Sequence, residues 1–450
     1  MRQLTLFDFI EYEYDIPAEV SVLSLFDGMS CGMIAMLNAS LAVKSYDAYE
    51  IDKYAVKTAS HNFPLIRQHG DVFSADFAQY EGVDYVIGGS PCTYWSIAQK
   101  NNRETEASGM GWELFQQYVR AVKEAKPKYF IYENNKSMSN AIRQSITETF
   151  GFEPICINSA LVSAQNRQRL YWVGKRDADG TYSKVDVEQP EDRGILLRDV
   201  LDGCAISGEV IPINTTVDGK GKTLKAQYCK NDVANFITNG GFAATAVAEP
   251  VCVAQRGRYS DTGNRSIKGT GDVEQFYEAR EDGKTNSLTT VQKDNAVAEP
   301  VRVGSLPRPN GELSESMGMR IYSINGKGIT LLSNGGGQGA KTGLYAIPIE
   351  FEGAVPIRAV SCADGKVYTV YEARDGQITI KDKQYPIKLT DGFYVIRKLT
   401  ISECKRLQTV PEWYNFSVVS NSQAYKMLGN GWTCDVISHL IRATRRRQHD

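Results

Sequence analysis

Residues 22–32 read Val22-Leu23-Ser24-Leu25-Phe26-Asp27-Gly28-Met29-Ser30-Cys31-Gly32. A short apolar run ends in a glycine-bearing turn and passes straight into a helical pattern over Cys31–Asn38. A glycine between strand and helix lets a ligand approach the backbone closely. The same alternation continues outward. Apolar runs at Ser45–Glu50, Asp84–Gly89, Tyr129–Glu133, Ile155–Leu161 and Leu170–Val173 predict strands. Asp52–Asn62, Trp112–Ala125 and Ala141–Phe150 predict helices between them, with Asp52 as an N-cap. Strands alternating with helices imply right-handed crossovers and an α/β, doubly wound, mostly parallel sheet. Ligands bind such sheets outside the carboxyl ends of the strands.

From about 190 to 395 the texture changes. Helical periodicity fades, and Gly, Asn, Thr, Lys and short β-type runs dominate. The hexapeptide Ala-Val-Ala-Glu-Pro-Val occurs at 246–251 and again at 296–301, each after a Lys-containing strand signal. A looser third unit runs from Lys327–Leu331 to Leu344–Pro348, so the segment reads as degenerate β-hairpin repeats. Helical patterns return at Thr400–Leu407, Gln423–Leu428 and Thr433–Arg445. The expected division is an N-terminal extension (1–20), an α/β domain (21–190), an inserted β-rich domain (191–395) and a C-terminal segment that rejoins the α/β domain (396–450).

The 450 residues, 42 % hydrophobic and 23 % charged, fit a globular protein of two or three domains. No apolar run is long enough to span a bilayer, and the acidic, aromatic N-terminus is unlike a signal peptide, so no membrane partner is expected. Nine cysteines, with no C-x-x-C pair, and four histidines (61, 69, 439 and 449) without ligand-type spacing argue against disulfides and a metal site. A reducing cytoplasm is the expected setting. The net charge of −2 implies that any contact with nucleic acid uses a local basic surface.

The cofactor side of the reading starts at the first turn. It lacks the G-x-G-x-x-G dinucleotide fingerprint. Glu50 ends the second strand, 22 residues after Gly28, where an acid can take ribose hydroxyls. Asp71-Val72 ends a third segment, where a carboxylate can accept from an adenine amino group. Together these favour an adenosine-containing ligand, and the absence of a P-loop lysine argues against ATP. The fourth strand ends in Gly88-Gly89-Ser90-Pro91-Cys92, which puts a thiol on a stiff, exposed turn suited to a nucleophile or to a small buried residue. Glu133 ends the next strand and faces the same crevice. On the following segment Gln165, Arg167 and Arg169 alternate and are expected on one strand face.

Phe26-Asp27-Gly28, Glu50-Ile51-Asp52, Pro91-Cys92, Glu133-Asn134, Gln165-x-Arg167-x-Arg169 and Asn430-Gly431 stand in the order of the motifs of the cytosine-5 DNA methyltransferase family, which the chain resembles over about 20–175 and 397–440. Arg397, Thr400, Glu403, Arg406, Gln408 and Pro411 resemble that family's late structural motif. The Leu-Phe-Asp-Gly form, with Trp432 after Asn430-Gly431, is similar to animal de novo enzymes and to some phage and bacterial ones.

The resemblance implies a class I, Rossmann-like methyltransferase fold and S-adenosyl-L-methionine as cofactor. It would be held by Phe26, Asp27, Gly28, Gly32, Glu50, Ile51, Asp71, Val72, Ser90, Pro91, Asn430, Gly431 and Trp432. It implies Cys92 as nucleophile, Glu133 at cytosine N3, Arg169 at the base O2 and Arg167 in support. It implies double-stranded DNA as partner and a flipped cytosine as substrate. The insert would be a target-recognition domain, Thr93–Gly111 a mobile loop closing over DNA with Lys100 and Arg103, and Arg256, Arg258 and Arg265 candidates for gripping phosphates. A monomer is expected, with a cognate restriction endonuclease as a candidate partner. Three departures stand out: Asn134 where valine is usual, Thr93-Tyr94-Trp95 after Pro-Cys, and Gly431-Trp432 in place of Ser-Val. Alternatives are a tRNA cytosine-5 methyltransferase, a catalytically silent DNA-binding homologue, and a cysteine hydrolase, which lacks a convincing histidine partner.

Overall fold

The computed structural model describes residues 19–95, 103–202, 210–212, 253–259, 273–279, 302–308, 310–316, 319–331, 344–349, 357–361, 367–380 and 383–445. Both hexapeptide copies, most of the N-terminal extension, Arg265 and residues 96–102, including Lys100, lie outside them.

The first part of the chain alternates strand and helix: β1 (Glu19–Leu25), α1 (Cys31–Asn38), β2 (Ala42–Tyr49), α2 (Lys53–Asn62), β3 (Arg67–Gln68), β4 (Tyr85–Gly88), α3 (Gly109–Ala125), β5 (Tyr129–Asn135), α4 (Asn140–Phe150), β6 (Ile155–Asn158), β7 (Gln168–Arg176) and β8 (Tyr182–Lys184). These strands form one sheet in the order β3-β2-β1-β4-β5-β7-β6, with β8 paired to β7. The pairs from β3 across to β5 are parallel, and those made by β7 are antiparallel. This is the mostly parallel, doubly wound architecture expected. The chain leaves β1 toward β2 on one side and returns at β4 on the other, so the switch point lies between β1 and β4.

The apolar runs are continuous because both faces of the sheet are covered. On one face Val22, Ile87, Ile131, Tyr171 and Val173 pack with Met33 and Met36 of α1. On the other, Leu23, Val86, Phe130, Tyr132 and Trp172 pack with Phe115 and Tyr118 of α3 and Ile142 of α4. The alternation of 130 with 131 and of 171 with 172 is the two-residue period of a strand. Asp52 caps α2 by accepting from Tyr54 N at 2.9 Å, as its position predicted.

The next part holds α5 (Leu197–Val200), β9 (Val210–Pro212), β10 (Val253–Tyr259), β11 (Val273–Ala279), β12 (Arg302–Ser305), β13 (Arg320–Ser323), β14 (Leu344–Ile349), β15 (Ile357–Ser361), β16 (Val367–Arg374), β17 (Gln377–Ile380), β18 (Lys383–Pro386) and β19 (Gly392–Arg397). β10, which carries Arg256 and Arg258, pairs antiparallel with β11. The others form a second sheet in the order β12-β13-β14-β19-β16-β15-β9, with β17 and β18 attached. Val303, Ile321, Leu344 and Ala346 face its own core. Their neighbours Tyr322, Tyr345 and Ile347 face a junction core shared with Leu197, Leu407 and Ile34.

Lys327–Leu331 and Leu344–Pro348 are not two arms of a hairpin, because β14 pairs with β13 in parallel. Lys327–Leu331 instead docks on the first domain. Gly328 N donates to Ala164 O at 2.6 Å, Asn166 N donates to Gly328 O at 2.9 Å, and the buried Lys327 ammonium donates to Ala160 O at 2.8 Å. Three free donors on an ammonium satisfy loop carbonyls that a strand ladder would leave unpaired.

After β19 come α6 (Ile401–Leu407), α7 (Asn421–Asn430) and α8 (Cys434–Arg445). α8 places Val436, Ile437, Leu440 and Ile441 against α1 and the sheet, so the end of the chain completes the first core. No helix among the described residues is long and apolar enough to cross a membrane.

The junction of the two sheets is fixed by a buried ion pair. Arg397 Nη1 and Nη2 donate to Glu403 Oε2 and Oε1 at 2.8 and 2.7 Å. Glu403, fully buried, also accepts from Thr400 N at 2.6 Å and Asp202 N at 2.9 Å. Removing one partner of such a pair leaves an uncompensated buried charge. Glu403→Ala is expected to lower the free energy of unfolding by about 3 kcal/mol or more. Chemical denaturation measures this, and a loss below about 1 kcal/mol would contradict the assigned role.

Candidate active site

A cavity of about 340 Å³ opens at the switch point, within the range of small-molecule sites. Its walls come from the ends of β1, β2, β4, β5 and β7 and from the stretch Lys426–Trp432.

The β1 wall is shaped by a turn that holds Phe26, Gly28 and Ser30 in the left-handed region, at φ 57°, 59° and 61°. Two of the three are not glycine, so the conformation needs outside support. Asp27 supplies it. Its buried carboxylate accepts from Ser24 Oγ at 2.6 Å, from Tyr46 OH at 2.7 Å and from Ser30 Oγ. Burial pushes the Asp27 carboxyl up to about 6, against the pull of those three hydroxyls, and the nearby Glu50 adds to the rise. Gly32 does not line the cavity. A Cβ there would lie 2.4 Å from Ile87 Cδ1 and 2.6 Å from Tyr46 OH, so this glycine lets α1 sit on the sheet.

Glu50 projects into the cavity from the end of β2. Its carboxylate accepts from Gly28 N at 2.8 Å, Ile51 N at 2.9 Å and Asp52 N at 2.8 Å. A carboxylate has about four lone-pair positions, so Glu50 can also take a ligand hydroxyl. Ile51 is 76 % exposed and is not among the lining residues. Asp71 and Val72 are not among them either. Asp71 caps the turn at Val72–Ser74 by accepting from Phe73 N at 3.0 Å, and Val72 is buried in the apolar core.

Beyond β4, Gly89, Ser90, Pro91 and Thr93 line the cavity, and Cys92 opens the helical turn Cys92–Tyr94 between two of them. That turn is tied down from below. Ser90 Oγ shares a 2.7 Å hydrogen bond with Tyr132 OH, and Asn134 Nδ2 donates to Ser90 O at 3.2 Å and Tyr132 OH at 3.1 Å. Both described ends of the expected mobile loop are anchored. Trp95 is fully buried and donates to Glu104 Oε2 at 3.0 Å, and Arg103 Nη2 donates to Ser137 O at 2.7 Å. The indole and the guanidinium each find a half-buried partner at the two ends, and the middle of the loop lies outside the described residues.

Glu133 stands across from that turn, 9 % exposed. Arg169 Nε lies 3.0 Å from Oε1, and Trp432 Nε1 donates to Oε2 at 3.0 Å. A Cβ at Gly89 would come within 2.8 Å of Oε2, so the glycine gives the carboxylate its space. Arg167, 4 % exposed, lies just before β7 rather than on it. Its guanidinium donates to Leu331 O at 3.3 Å, Gly429 O at 3.2 Å and Gly431 O at 3.0 Å. Gln165 bridges Gly328 and donates to Ile329 O at 3.4 Å, away from the cavity. The expected common strand face of Gln165, Arg167 and Arg169 therefore does not form, since the ladder starts only at Gln168.

Asn430, Gly431 and Trp432 line the cavity as expected, and so do Lys426 and Met427, which the sequence reading passed over. Lys426 pairs with Asp52 at 2.7 Å and is one helical turn before Asn430 on α7. That four-residue spacing puts both on one face, and it was the available signal. Among the described residues no cluster of His, Cys, Asp and Glu could hold a metal ion.

The profile of the C-5 cytosine-specific DNA methylases matches residues 20–446. The chain belongs to this family. Within it, the chain is 33 % identical over 171 residues to the orphan methyltransferase M.SPRI of Bacillus phage SPR, over 35 % of this chain and 38 % of that protein. It is 33 % identical over 239 residues to the type II methyltransferase M.Eco47II of Escherichia coli, over 49 % and 54 % of the two chains. A likeness of 24 % over 490 residues to the orphan methyltransferase M.SPBetaI of Bacillus phage SPbeta covers 94 % and 97 %. The stronger matches span between 34 and 54 % of the relatives' lengths.

The raised Asp27 carboxyl makes a signed prediction for this family member. The folded protein holds this proton where the unfolded chain has released it, so stability falls as pH rises from about 4 to about 6. The size is about 3 kcal/mol, and the loss is complete above the folded value. Unfolding free energies of wild type and Asp27→Asn across that window should diverge accordingly. Parallel curves would contradict the assignment.

Proposed function

We propose that this family member transfers a methyl group from S-adenosyl-L-methionine to carbon 5 of a cytosine flipped out of specific double-stranded DNA sequences. The observation that carries the reading is the Glu133 carboxylate, set between Arg169 and Trp432 and facing the turn that bears Cys92.

The donor set fits the cofactor. Glu50 is placed for ribose hydroxyls, Phe26 and Trp432 offer rings to an adenine or a sulfonium, and the backbone at Asp27-Gly28 and Ser90-Pro91 leaves room for the rest. Asp27, Glu50, Asp52 and Glu133 also give the cavity the acidic groups a cationic ligand needs. When bound, the cofactor would supply a methyl group carried on a positive sulfur. Gly32 would serve indirectly, by seating α1 on the sheet, while Ile51, next to Glu50, and Asp71-Val72 stay assigned to the cofactor.

The chain's own residues do the rest. Carbon 5 of cytosine is a poor nucleophile. The Cys92 thiolate adds to carbon 6, forming the S–C6 bond and pushing an electron pair toward carbon 5. Glu133 hydrogen-bonds or protonates ring N3, which neutralises charge arriving on the ring. Arg169 stabilises the charge developing at O2. Arg167 holds the Gly429–Gly431 wall in place. After methylation the carbon 5 proton passes to solvent, the S–C6 electron pair returns to sulfur as it leaves, and the ring is aromatic again.

The insert of 191–395 serves as the target-recognition domain, the remainder as the catalytic domain. The protein works as a monomer in the cytoplasm of a bacterial cell. Type II relatives make a cognate restriction endonuclease a candidate partner, and orphan relatives make its absence equally natural.

Bisulfite sequencing of DNA from cells expressing the protein would give the modified base and its context. A duplex carrying 5-fluorocytosine at that position should then trap a covalent complex at Cys92 in the presence of cofactor. Cys92→Ser is expected to abolish both the complex and methyl transfer while changing cofactor affinity by less than about twofold. Undiminished transfer by this variant would overturn the mechanism.

A further inference from the structure

We infer that Trp432 is a positioning residue for methyl transfer: its indole N–H, donated to Glu133 Oε2, holds the carboxylate toward the base and joins the wall of the cofactor pocket to the base site. The inference rests on the reading of Glu133 as the group that meets cytosine.

Glu133 is held from two sides. Its two oxygens have donors on opposite sides, Arg169 Nε at 3.0 Å from Oε1 and Trp432 Nε1 at 3.0 Å from Oε2. A carboxylate with one donor can turn about its terminal bond, whereas two opposed donors fix its plane. On a third side, position 89 is a glycine, and a Cβ there would fall 2.8 Å from Oε2. Two donors leave lone pairs on the carboxylate for ring N3.

The indole can act this way only if its own backbone is held. Gly431 O accepts from Arg167 Nη2 at 3.0 Å and from Gln408 Nε2 at 3.2 Å. Thr433 Oγ1 donates to Gln408 Oε1 at 2.9 Å and bonds Ser159 Oγ at 2.8 Å. Trp432 therefore sits between two fastened residues and spans 299 positions of sequence to reach Glu133. The same residue lines the cavity assigned to the cofactor. Cofactor and base thus share one side chain, and anything that shifts the indole shifts Glu133. A valine there, the family's usual choice, would have no N–H to give.

Trp432→Phe keeps the apolar ring and removes the donor. The expected result is a fall in kcat of about tenfold, with the cofactor dissociation constant in the absence of DNA within about twofold and the melting temperature unchanged. Trp432→His, which restores a ring N–H, should recover part of the loss. In a Glu133→Gln background the Trp432→Phe change should have little further effect, because the two act as a unit. A wild-type kcat in Trp432→Phe, a loss matched by lost cofactor affinity, or full additivity with Glu133→Gln overturns the inference. No methyl transfer by wild type would count against the function itself. Transfer by wild type with an unaffected Trp432→Phe overturns only the positioning role.

Discussion

The Arg167 guanidinium is the tie on which the rest of the site depends. It donates to carbonyls of Leu331, Gly429 and Gly431, and so draws together the edge of the first sheet, the β-rich insert and the chain's return. A buried guanidinium has five N–H donors and no way to lose its charge. Carbonyls at loop ends and helix ends lack ladder partners and are the natural acceptors for it. Hydrogen bonds to charged groups contribute about 1.5–3 kcal/mol each, so several on one side chain outweigh the cost of ordering it. The buried Lys327, donating to Ala160, Ser163 and Ile195 carbonyls, repeats the device a few residues away. Two cations, both buried among backbone oxygens, hold the insert and the C-terminal wall to a domain that ends far earlier in sequence.

Once that wall is in place, the electrostatics of the crevice follow. Four lining acids (Asp27, Glu50, Asp52 and Glu133) face three lining cations (Arg167, Arg169 and Lys426). The cations are committed: Arg169 to Glu133, Lys426 to Asp52, and Arg167 to carbonyls. Asp27 differs from the other acids because its side-chain donors among the described residues are hydroxyls, so burial governs its protonation while three donors hold its geometry. The acid that shapes the turn and the acid that meets the substrate are thus separated by what surrounds them, hydroxyls in one case and an ion pair in the other. A carboxylate does structural work at 27, and a second carboxylate is assigned the chemical work at 133.

The parallel sheet was legible in the sequence because its apolar runs are buried on both faces, and alternation such as Phe130–Ile131–Tyr132 cannot be satisfied otherwise. Local signals were equally readable: Asp52 caps α2, and Thr400 with Glu403 forms the capping box of α6. Reading failed where a distant chain segment took over a local pattern. Gln165-x-Arg167-x-Arg169 alternates like a strand, yet Gly328 takes the backbone at its start, so the ladder begins late. Lys327–Leu331 looks like a hairpin arm in isolation, and its partners lie more than a hundred residues earlier. Asp71, assigned to an adenine, also caps a local turn, a second use that its spacing did not show, and the one N–H it accepts leaves lone pairs for a ligand. Much of the insert was illegible for a different reason: its Gly, Asn and Lys-rich stretches carry no strong period to read.

The two unusual residues beside Glu133 are explained together. Valine is usual at the position of Asn134 and at that of Trp432, and an apolar side chain there would pack without asking anything of its neighbours. In this chain both carry N–H groups and both spend them on the site. Asn134 holds Ser90, and through it the turn bearing Cys92, while Trp432 holds Glu133 itself. Each bond has a buried partner that needs it: Ser90 Oγ and Tyr132 OH on one side, Glu133 Oε2 on the other. Reverting one residue to valine would remove a donor from the site and would not recreate the simpler packing, because the groups that accept from it stay polar. The nucleophile's turn and the carboxylate that opposes it are therefore set by hydrogen bonds from adjacent departures, and the two are best understood as one coupled change in how the site is held rigid.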